Sequence, residues 1–371
     1  MAESSPLREA WRSETRGVGR IESELVKLEH ALALEQAEGE TRLPVRTSLL
    51  NMVVYVTDEA ELERSSDTVA HLAGRHPSRT IFVLPAASKS GEVEAELRAY
   101  CLAPSEDTPR ICVEQICLRT GPLRPGNLPE LLSPLLIADL PTYAWYPGLG
   151  VGDSTVLAAL AELADRVLVD SGAAPDPSAA LRALDPLGRQ ITDFTWMRLL
   201  PWCELTAQFF DAESSRRYLE LITTLRIEYS GSMAASMLYA GWMADRLGWE
   251  PFSEDRAPLV RFFRGTGDPG QYALAQLFPS SDVTLARGTI LSIVLEAQRP
   301  STAPAKFQIL RNPSGTSTQT FCKLPNGRES VRTAPLPMHD VSSLLADALD
   351  LIAPHRVYRY ALSKAVKLVG G

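Results

Sequence analysis

One loop of the sequence has the composition of a phosphate-binding turn. Residues 148–153, GLGVGD, follow a short apolar run and precede an apolar helical pattern, so their backbone N–H groups could contact an anion. The loop lacks the GxGxxG spacing and a P-loop lysine, and Asp153 stands where the anion would sit. We therefore interpret it as a plain connection rather than a nucleotide site.

His76 and Arg79 form a second potential contact for an anion, in the segment between a predicted helix and the strand that follows it. The alternative is structural: Pro77 and Ser78 shape a turn, and Arg79 pairs with a carboxylate. Loop residues carry function more often than core residues, but most of them only connect. The structural interpretation is therefore favoured.

Motifs for metal binding and nucleophilic catalysis are absent from the sequence. The chain has five histidines but no HExxH, CxxC or GxSxG. Ser133 and Cys203 have no histidine close in sequence, so a catalytic triad would need distant partners. No catalytic residue, metal or cofactor is predicted.

Large aromatic side chains concentrate in two segments about fifty residues apart. They are Tyr143, Trp145, Tyr146, Trp196, Trp202, Phe209 and Phe210. Tryptophan and tyrosine dominate binding hot spots, which makes these residues candidates for a partner-binding surface. Packing in the core is the alternative, and it is favoured for the set as a whole, because large aromatics mostly supply buried area.

The first part of the chain has the pattern of a βαβ unit. Residues 20–33 carry an apolar stripe at helical spacing, whereas residues 1–18 have no pattern and are expected to be loose. The apolar run 48–56 predicts a buried strand, 59–74 a helix started by Thr57 or Asp58, and 79–84 the next strand.

Strict alternation of apolar and polar residues over 92–103 predicts a half-exposed strand, and 110–118 is the second arm of a β-hairpin. A symmetric closure pairs Leu102 with Ile111 and sets Cys101 directly opposite Cys112. Two reduced thiols are favoured, since disulfides are rare in a reducing compartment. A redox-sensitive pair is the alternative.

The middle of the chain alternates helices and short strands. We predict a helix at 131–138, a strand at 142–146, a strand at 167–170 and a helix at 196–211 with a break at Pro201. Residues 232–247 are apolar nearly all round and contain Gly241, which indicates a buried, closely packed helix ended by Gly248.

The pattern changes after the polar stretch 250–258, where short strands and hairpin turns are followed by two helices, 341–352 and 357–368. The sequence thus predicts an α/β N-terminal domain with a mixed, partly parallel sheet, plus a smaller α+β C-terminal domain. The predicted units are an N-terminal helical arm over residues 1–45, the α/β domain over 46–250 and the α+β domain over 256–371.

Composition limits the class of partner. The chain has 371 residues and a net charge of −8, which argues against nucleic acid and anionic membrane as partners. It has no apolar run of about 18 residues, its first residues do not read as a secretory signal, and five cysteines in so long a chain suit a reducing cytoplasm. We expect a cytoplasmic protein.

Several stretches, in the expected order, resemble one known family. They read LLSPLLIADLPTYAWYPG at 131–148 and LLPWCELTAQFFD at 199–211, together with RTSLLNMVVYV at 46–56, GRHPSRTIFVL at 74–84, ICVEQICLR at 111–119 and ADRVLVDS at 164–171. This set is similar to the signature of the OpcA family, the glucose-6-phosphate dehydrogenase assembly proteins.

The resemblance implies a non-catalytic protein that binds glucose-6-phosphate dehydrogenase, promotes its active oligomer and raises its activity, feeding the oxidative pentose phosphate pathway and NADPH supply. The residues themselves leave an alternative open: an enzyme or sensor that binds a sugar phosphate or nucleotide at a switch point of the N-terminal sheet.

Overall fold

The computed structural model describes residues 8–27, 45–46, 48–88, 93–102, 111–148, 154–252, 259–264, 272–281, 287–298, 303–313, 315–336, 338–353 and 355–368. The hairpin turn 103–110, the loop 149–153, the polar stretch 253–258 and the predicted helix beyond residue 27 lie outside these ranges. Two mixed β-sheets with helices packed on them form the described part of the chain.

The first sheet contains nine strands among the described residues. They are β1 (Arg8–Arg16), β2 (Val45–Arg46), β3 (Leu50–Tyr55), β4 (Ser78–Leu84), β5 (Glu94–Leu102), β6 (Ile111–Arg119), β7 (Thr142–Tyr146), β8 (Arg166–Val169) and β9 (Ile191–Asp193). Their spatial order is β1-β5-β6-β4-β3-β7-β8-β9, with β2 beside β6.

Six neighbouring strands of this sheet are parallel: β6, β4, β3, β7, β8 and β9. Numbered one to six in chain order, they lie in the order 3-2-1-4-5-6, which is that of the Rossmann fold. The order reverses between β3 and β7, the switch point where such sheets bind ligands. The predicted mixed, partly parallel sheet is confirmed.

The hairpin of β5 and β6 has the register predicted from the sequence. Leu102 pairs with Ile111 and Cys101 with Cys112 in an antiparallel ladder. Beyond it, β1 pairs antiparallel with β5. The expectation of a loose segment over residues 1–18 is therefore wrong for β1, because pairing with a neighbouring edge, and not an apolar period, makes this charged segment a strand.

Nine α-helices lie wholly within the described residues. They are α1 (Glu59–His71), α2 (Leu128–Leu132), α3 (Ser154–Leu163), α4 (Pro177–Leu184), α5 (Phe194–Gln208), α6 (Glu213–Arg216), α7 (Ala234–Arg246), α8 (Val341–Asp350) and α9 (Arg356–Leu368). Residues 21–27 are also helical. Aspartate side chains start four of the labelled helices by accepting a backbone N–H: Asp58, Asp176, Asp193 and Asp340.

Two helix predictions need correction. The helix predicted at 131–138 begins earlier and ends at Leu132, since Pro134 would fall in its interior and remove a backbone donor. Conversely, α5 runs through Pro201 without the predicted break. Buried side chains on both sides of the proline, Trp196 and Trp202 among them, keep the helix together despite the lost hydrogen bond.

The second sheet contains eight strands of the described residues, in the order β11-β12-β13-β10-β14-β15-β16-β17. They are β10 (Ile222–Tyr229), β11 (Trp249–Phe252), β12 (Leu259–Arg264), β13 (Tyr272–Pro279), β14 (Ile290–Ala297), β15 (Ala305–Arg311), β16 (Ser317–Lys323) and β17 (Glu329–Pro335). All neighbours are antiparallel except β10 and β13.

Gly241 lets α7 and α9 pack at very close range. A Cβ at this position would lie 2.2 Å from the carbonyl oxygen of Ala361, so only glycine fits. The predicted buried, closely packed helix is confirmed, and Gly248 follows its end with a φ of 65°.

The last two helices pack back onto elements that precede the second sheet. Leu344 and Leu345 of α8 share a buried cluster with Val54, Phe82 and Trp145 of the first sheet. Sheet membership already changes at β10, ahead of the predicted boundary at 250–256, so the domain limits remain a prediction. Within the described residues, every helix is too short or too polar to span a lipid bilayer.

Candidate functional site

The turn from β3 into α1 is filled by carboxylates of the protein itself. Asp58 Oδ1 accepts the N–H of Glu61 at 2.7 Å, as the predicted helix cap. Glu61 Oε2 accepts from the N–H of Thr57 at 2.8 Å and from its hydroxyl at 3.0 Å. In dinucleotide-binding folds this turn holds a pyrophosphate on the same kind of N–H groups. Here the donors already have anionic partners.

Glu61 also occupies the switch point between β3 and β7. Gly148 follows β7, and a Cβ on it would lie 2.7 Å from Glu61 Oε1. The loop after β7 therefore packs directly onto this carboxylate. The rest of the GLGVGD segment, residues 149–153, lies outside the described residues.

A polar cluster that the sequence interpretation missed lies at the ends of β8 and β9. Arg198 donates two hydrogen bonds to the carboxylate of Asp170, at 2.9 and 2.8 Å. The Thr195 hydroxyl donates to Asp170 at 2.8 Å and accepts the N–H of Gly172 at 2.7 Å. The only signal for this cluster in the sequence was an aspartate at the end of each apolar run, Asp170 directly after β8 and Asp193 as the last residue of β9.

Asp193 is the buried centre of the same region. Its Oδ1 accepts the N–H groups of Ser171 and Thr195, and its Oδ2 accepts the hydroxyls of Ser171 at 2.6 Å and Tyr358 at 3.2 Å. Burial raises the pKa of Asp193 to about 6, against the lowering effect of the hydrogen bonds from Ser171. The hydrogen bond from Tyr358 to Asp193 connects α9 to the first sheet.

His76 and Arg79 do not converge on an open anion site. Arg79 is buried, donates to Glu22 at 2.9 Å and lies 3.4 Å from Glu114, as the structural alternative expected. His76 Nε2 lies 3.3 Å from Asp350, and burial lowers the pKa of its imidazole in spite of that carboxylate. The anion contact is corrected accordingly: Arg79 is already neutralised by the protein.

The aromatic set is mostly core. Five of its members are buried: Trp145, Tyr146, Trp196, Trp202 and Phe210. Tyr143 and Phe209 are half-buried. Tyr146 packs edge-on against Tyr55, and both phenylalanines contact Phe307. As a correction to the proposed partner-binding surface, the five buried side chains are not available to a partner, because the strands and α5 turn them inward.

Cys101 and Cys112 are joined by a disulfide bond, with Cα atoms 4.1 Å apart. Their directly opposed register in the β5–β6 ladder brings the two sulfurs together. The favoured expectation of two reduced thiols is not what the structure contains. The expectation rested on the rarity of disulfides in a reducing compartment. The local geometry favours the bond instead, because directly opposed strand residues have Cβ atoms close to disulfide distance.

A network of ion pairs joins β5, β6 and α1. Arg98 and Arg119 both donate to Glu96, at 2.8 and 2.9 Å, and they also pair with Glu63 and Glu59 of the helix. Burial alone would raise the pKa of Glu96, but the two arginines outweigh it and lower this pKa to about 2. The network holds the helix on the sheet and leaves its charges internally paired.

The outer face of the second sheet carries exposed apolar side chains interspersed with polar ones. We define the outer face by Phe278, Val294, Leu310, Phe321 and Val331, of which Phe278, Leu310 and Val331 are 43%, 37% and 60% exposed. Phe321 stands directly opposite Val331 in the ladder. No element of the described residues covers this face, and β17 at its edge is exposed along nearly its whole length. A mixture of exposed apolar and polar side chains on an uncovered face suits a contact between folded proteins.

The fold and this geometry define a class: a two-sheet α/β protein with the Rossmann strand order, whose switch point is closed by its own glutamate. Two family models match the sequence, the glucose-6-phosphate dehydrogenase subunit N-terminal domain over residues 69–186 and the C-terminal domain over 189–362. The chain belongs to the OpcA family of glucose-6-phosphate dehydrogenase assembly proteins. The resemblance predicted from the sequence is confirmed.

Curated relatives agree with this family. An OxPP cycle protein named OpcA from Synechocystis sp. is 31% identical over 235 residues, 60% of this chain and 49% of that protein. Its counterpart from Synechococcus elongatus is 29% identical over 250 residues, 62% of this chain and 54% of the relative. The chain thus spans about half the length of the curated relatives it matches.

Solved structures resemble the chain only distantly. A levoglucosan dehydrogenase in complex with NADH and L-sorbose has a TM-score of 0.45 and 10% identity, with 86% of this chain and 96% of that chain covered. At this distance the likeness says nothing of ligand or reaction.

Proposed function

We propose that the chain is a non-catalytic assembly factor that binds glucose-6-phosphate dehydrogenase and stabilises its active oligomer. The observation that carries the proposal is the closure of the switch point by Glu61, which accepts the N–H of Thr57 and packs on Gly148. A protein of Rossmann strand order whose phosphate turn is satisfied internally suits binding to a dehydrogenase better than action as one. Family membership supplies the partner.

The same observation weighs against the alternative of a nucleotide- or sugar-phosphate-binding enzyme at this switch point. A phosphate placed on the β3–α1 turn would meet the carboxylates of Asp58 and Glu61 instead of free N–H groups. Like charges at this range repel, and the N–H of Thr57 would have to exchange partners.

The activating mechanism is a population shift. A protein that binds the active oligomer of the dehydrogenase more tightly than its other states moves the equilibrium by that difference in affinity. The consequence is a higher flux through the oxidative pentose phosphate pathway and a larger supply of NADPH. The site of action is the cytoplasm.

We propose that the dehydrogenase contacts the outer face of the second sheet. Polar side chains lie among the apolar ones on this face, for example the ion pair of Arg226 and Glu296. Interfaces between folded proteins typically combine an apolar centre with a polar rim. The aromatic set is not required for this contact, because most of it is buried.

The experiment combines light scattering on a sizing column with an activity assay of the cognate dehydrogenase. Addition of the chain is expected to give a larger complex and to raise the apparent kcat or lower the apparent KM. Absence of a complex together with unchanged kinetics contradicts the proposed function. Light scattering of the chain alone on the same column reports self-association through the outer face.

Charge substitutions test the placement. Leu310→Glu and Val331→Glu should leave the Tm almost unchanged and weaken binding to the dehydrogenase by about 2 kcal/mol or more if these residues are central to the contact. Leu49→Glu is the matched control, since Leu49 is exposed to 59%, like Val331 at 60%, but lies next to the first sheet. Equal effects from all three variants rule out the outer face.

A further inference from the structure

A cavity of about 480 Å³ lies at the amino edge of the first sheet, opposite the edge that carries the switch point. The turn before β9 forms one wall, and the start of α9 forms the other. Its charged and aromatic lining consists of Arg189, His355, Arg356, Arg359 and Tyr360, and its remaining lining residues are small. No lining residue is acidic.

The three arginines of this cavity differ from those discussed above. Arg79 and Arg198, for example, pair with carboxylates at 2.9 and 2.8 Å. Among the described residues, Arg189, Arg356 and Arg359 have no carboxylate within ion-pair distance. An uncompensated cationic pocket in a chain of net charge −8 needs an explanation.

Two neighbouring features add to the positive potential. The first turn of α9 has no acidic residue, although a helix N-terminus favours negative charge, and it carries Arg356 and Arg359 instead. Behind the cavity, the buried Arg166 donates to the carbonyl oxygens of Ala348 and Leu351. Burial, and then the charge of Arg166, lower the pKa of His355.

Arg359 is held in place from two sides. A Cβ at position 188 would lie 3.2 Å from Arg359 Cγ, so Gly188 allows the arginine stem to pass against the turn. On the other side its guanidinium lies 5.4 Å from the ring centroid of Tyr360. A side chain restrained in this way loses less conformational entropy when it binds a ligand.

We propose that this cavity binds a phosphorylated small molecule, with its phosphate among Arg189, Arg356 and Arg359 and its uncharged part against Tyr360. Planar guanidinium groups donate paired N–H groups to phosphate oxygens, and several of them together match a dianion. The volume lies within the range of small-molecule sites, about 300–1,000 Å³. The site is separate from the switch point and does not depend on the proposed contact with the dehydrogenase.

The test is calorimetric titration of the full chain, without the dehydrogenase, at low ionic strength. Glucose 6-phosphate and inorganic phosphate are the probes, and glucose is the uncharged control. Both phosphate compounds are expected to bind and glucose is not. Added salt is expected to weaken the binding of both, because the contact is ionic and partly exposed.

Substitutions of the cavity arginines test whether phosphate compounds bind in this cavity. Arg356→Gln combined with Arg359→Gln is expected to weaken glucose 6-phosphate by about tenfold or more, through loss of charge-assisted hydrogen bonds. Arg217→Gln is the matched control, since Arg217 is exposed and its guanidinium lies 5.1 Å from the ring centroid of Tyr218 in the same stacked geometry, but it lines no described cavity. A thermal melt of each variant checks the fold.

Two results overturn the proposal. The first is the absence of any heat of binding with glucose 6-phosphate and inorganic phosphate. The second is an unchanged affinity for glucose 6-phosphate in a folded double variant. If the first result comes together with loss of dehydrogenase binding in the double variant, the cavity is a protein contact. Retained dehydrogenase binding with lost phosphate binding supports the site.

Discussion

Tyr358 donates a hydrogen bond of 3.2 Å to Oδ2 of Asp193, and both side chains are fully buried. The tyrosine lies on α9 and the aspartate ends β9, so one polar contact joins the C-terminal helix to the far edge of the first sheet. Buried hydrogen bonds to a charged group are among the stronger ones, and their loss leaves the partner unsatisfied.

Asp193 should make stability depend on pH in a direction unusual for a carboxylate. Its folded pKa is raised to about 6, whereas the pKa of an unfolded aspartate is about 3.9. Between these values the folded protein holds the proton and the unfolded chain does not, so the contribution of this group to stability falls as pH rises from about 4 to about 6. Asp193→Asn should remove this component of the pH dependence.

Urea unfolding across that range checks this prediction. The amide can still accept from the N–H groups of Ser171 and Thr195, and its NH₂ group can donate to hydroxyl oxygens, so the variant should fold. Asp211→Asn, at an exposed position, is the control. An unchanged pH slope in Asp193→Asn would contradict the assignment.

The contact between Glu61 and Gly148 predicts energetic coupling. Gly148→Ala forces the Glu61 carboxylate away, because the new Cβ would lie 2.7 Å from Oε1. The same substitution in a Glu61→Ala background meets no such obstacle. The interaction energy of the double-mutant cycle should be about 0.5–3 kcal/mol in the free energy of unfolding. Additive effects of the two substitutions would show that the switch point is not closed in this way.

Trp145 and Trp202 are predicted to act through stability alone. Each is about 2% exposed or less, so replacement by alanine should cost about 3–5 kcal/mol of unfolding free energy. Phe278→Ala, at a side chain exposed to 43%, should change the Tm little. An unchanged melting temperature with weakened dehydrogenase binding in either tryptophan variant would restore the surface interpretation.

The disulfide between Cys101 and Cys112 gives a chemical prediction. Digestion of the protein without reductant should yield one cross-linked peptide pair containing both residues, detected by mass spectrometry. The sequence separation is 11, and for a ring of this size reduction should lower the unfolding free energy by about 2–3 kcal/mol. Free alkylation of both thiols in the untreated protein would disprove the bond.

Local patterns in the sequence predicted much of this architecture. Alternation from Val93 to Cys101 gave the hairpin and its register, and the buried helix around Gly241 was clear from its apolar surface. The charged strand β1 was missed, because pairing with β5 and not side-chain period forms it. Period and propensity are local signals, so they cannot report a strand that exists through its neighbour.

The candidate site was less accessible to sequence reasoning, because it depends on contacts between distant residues. In the sequence, Glu61 has no feature that distinguishes it from other helix residues. Its role depends on its contact with Gly148, which only the fold shows. Trp202 has the composition of a hot spot, and only the fold shows that it faces inward. The cavity near Arg356 needs the turn at Arg189, 167 positions earlier, to form its second wall.

The packing of α8 has a consequence for the order of events during synthesis. Leu344 and Leu345 share a buried cluster with Val54 and Phe82, which the ribosome makes more than two hundred and fifty residues earlier. Until α8 emerges, that face of the nascent first sheet has no helix from the end of the chain to cover it. Chaperones that hold apolar surface should therefore bind nascent chains of this protein that stop before residue 341, and release them once α8 has left the exit tunnel.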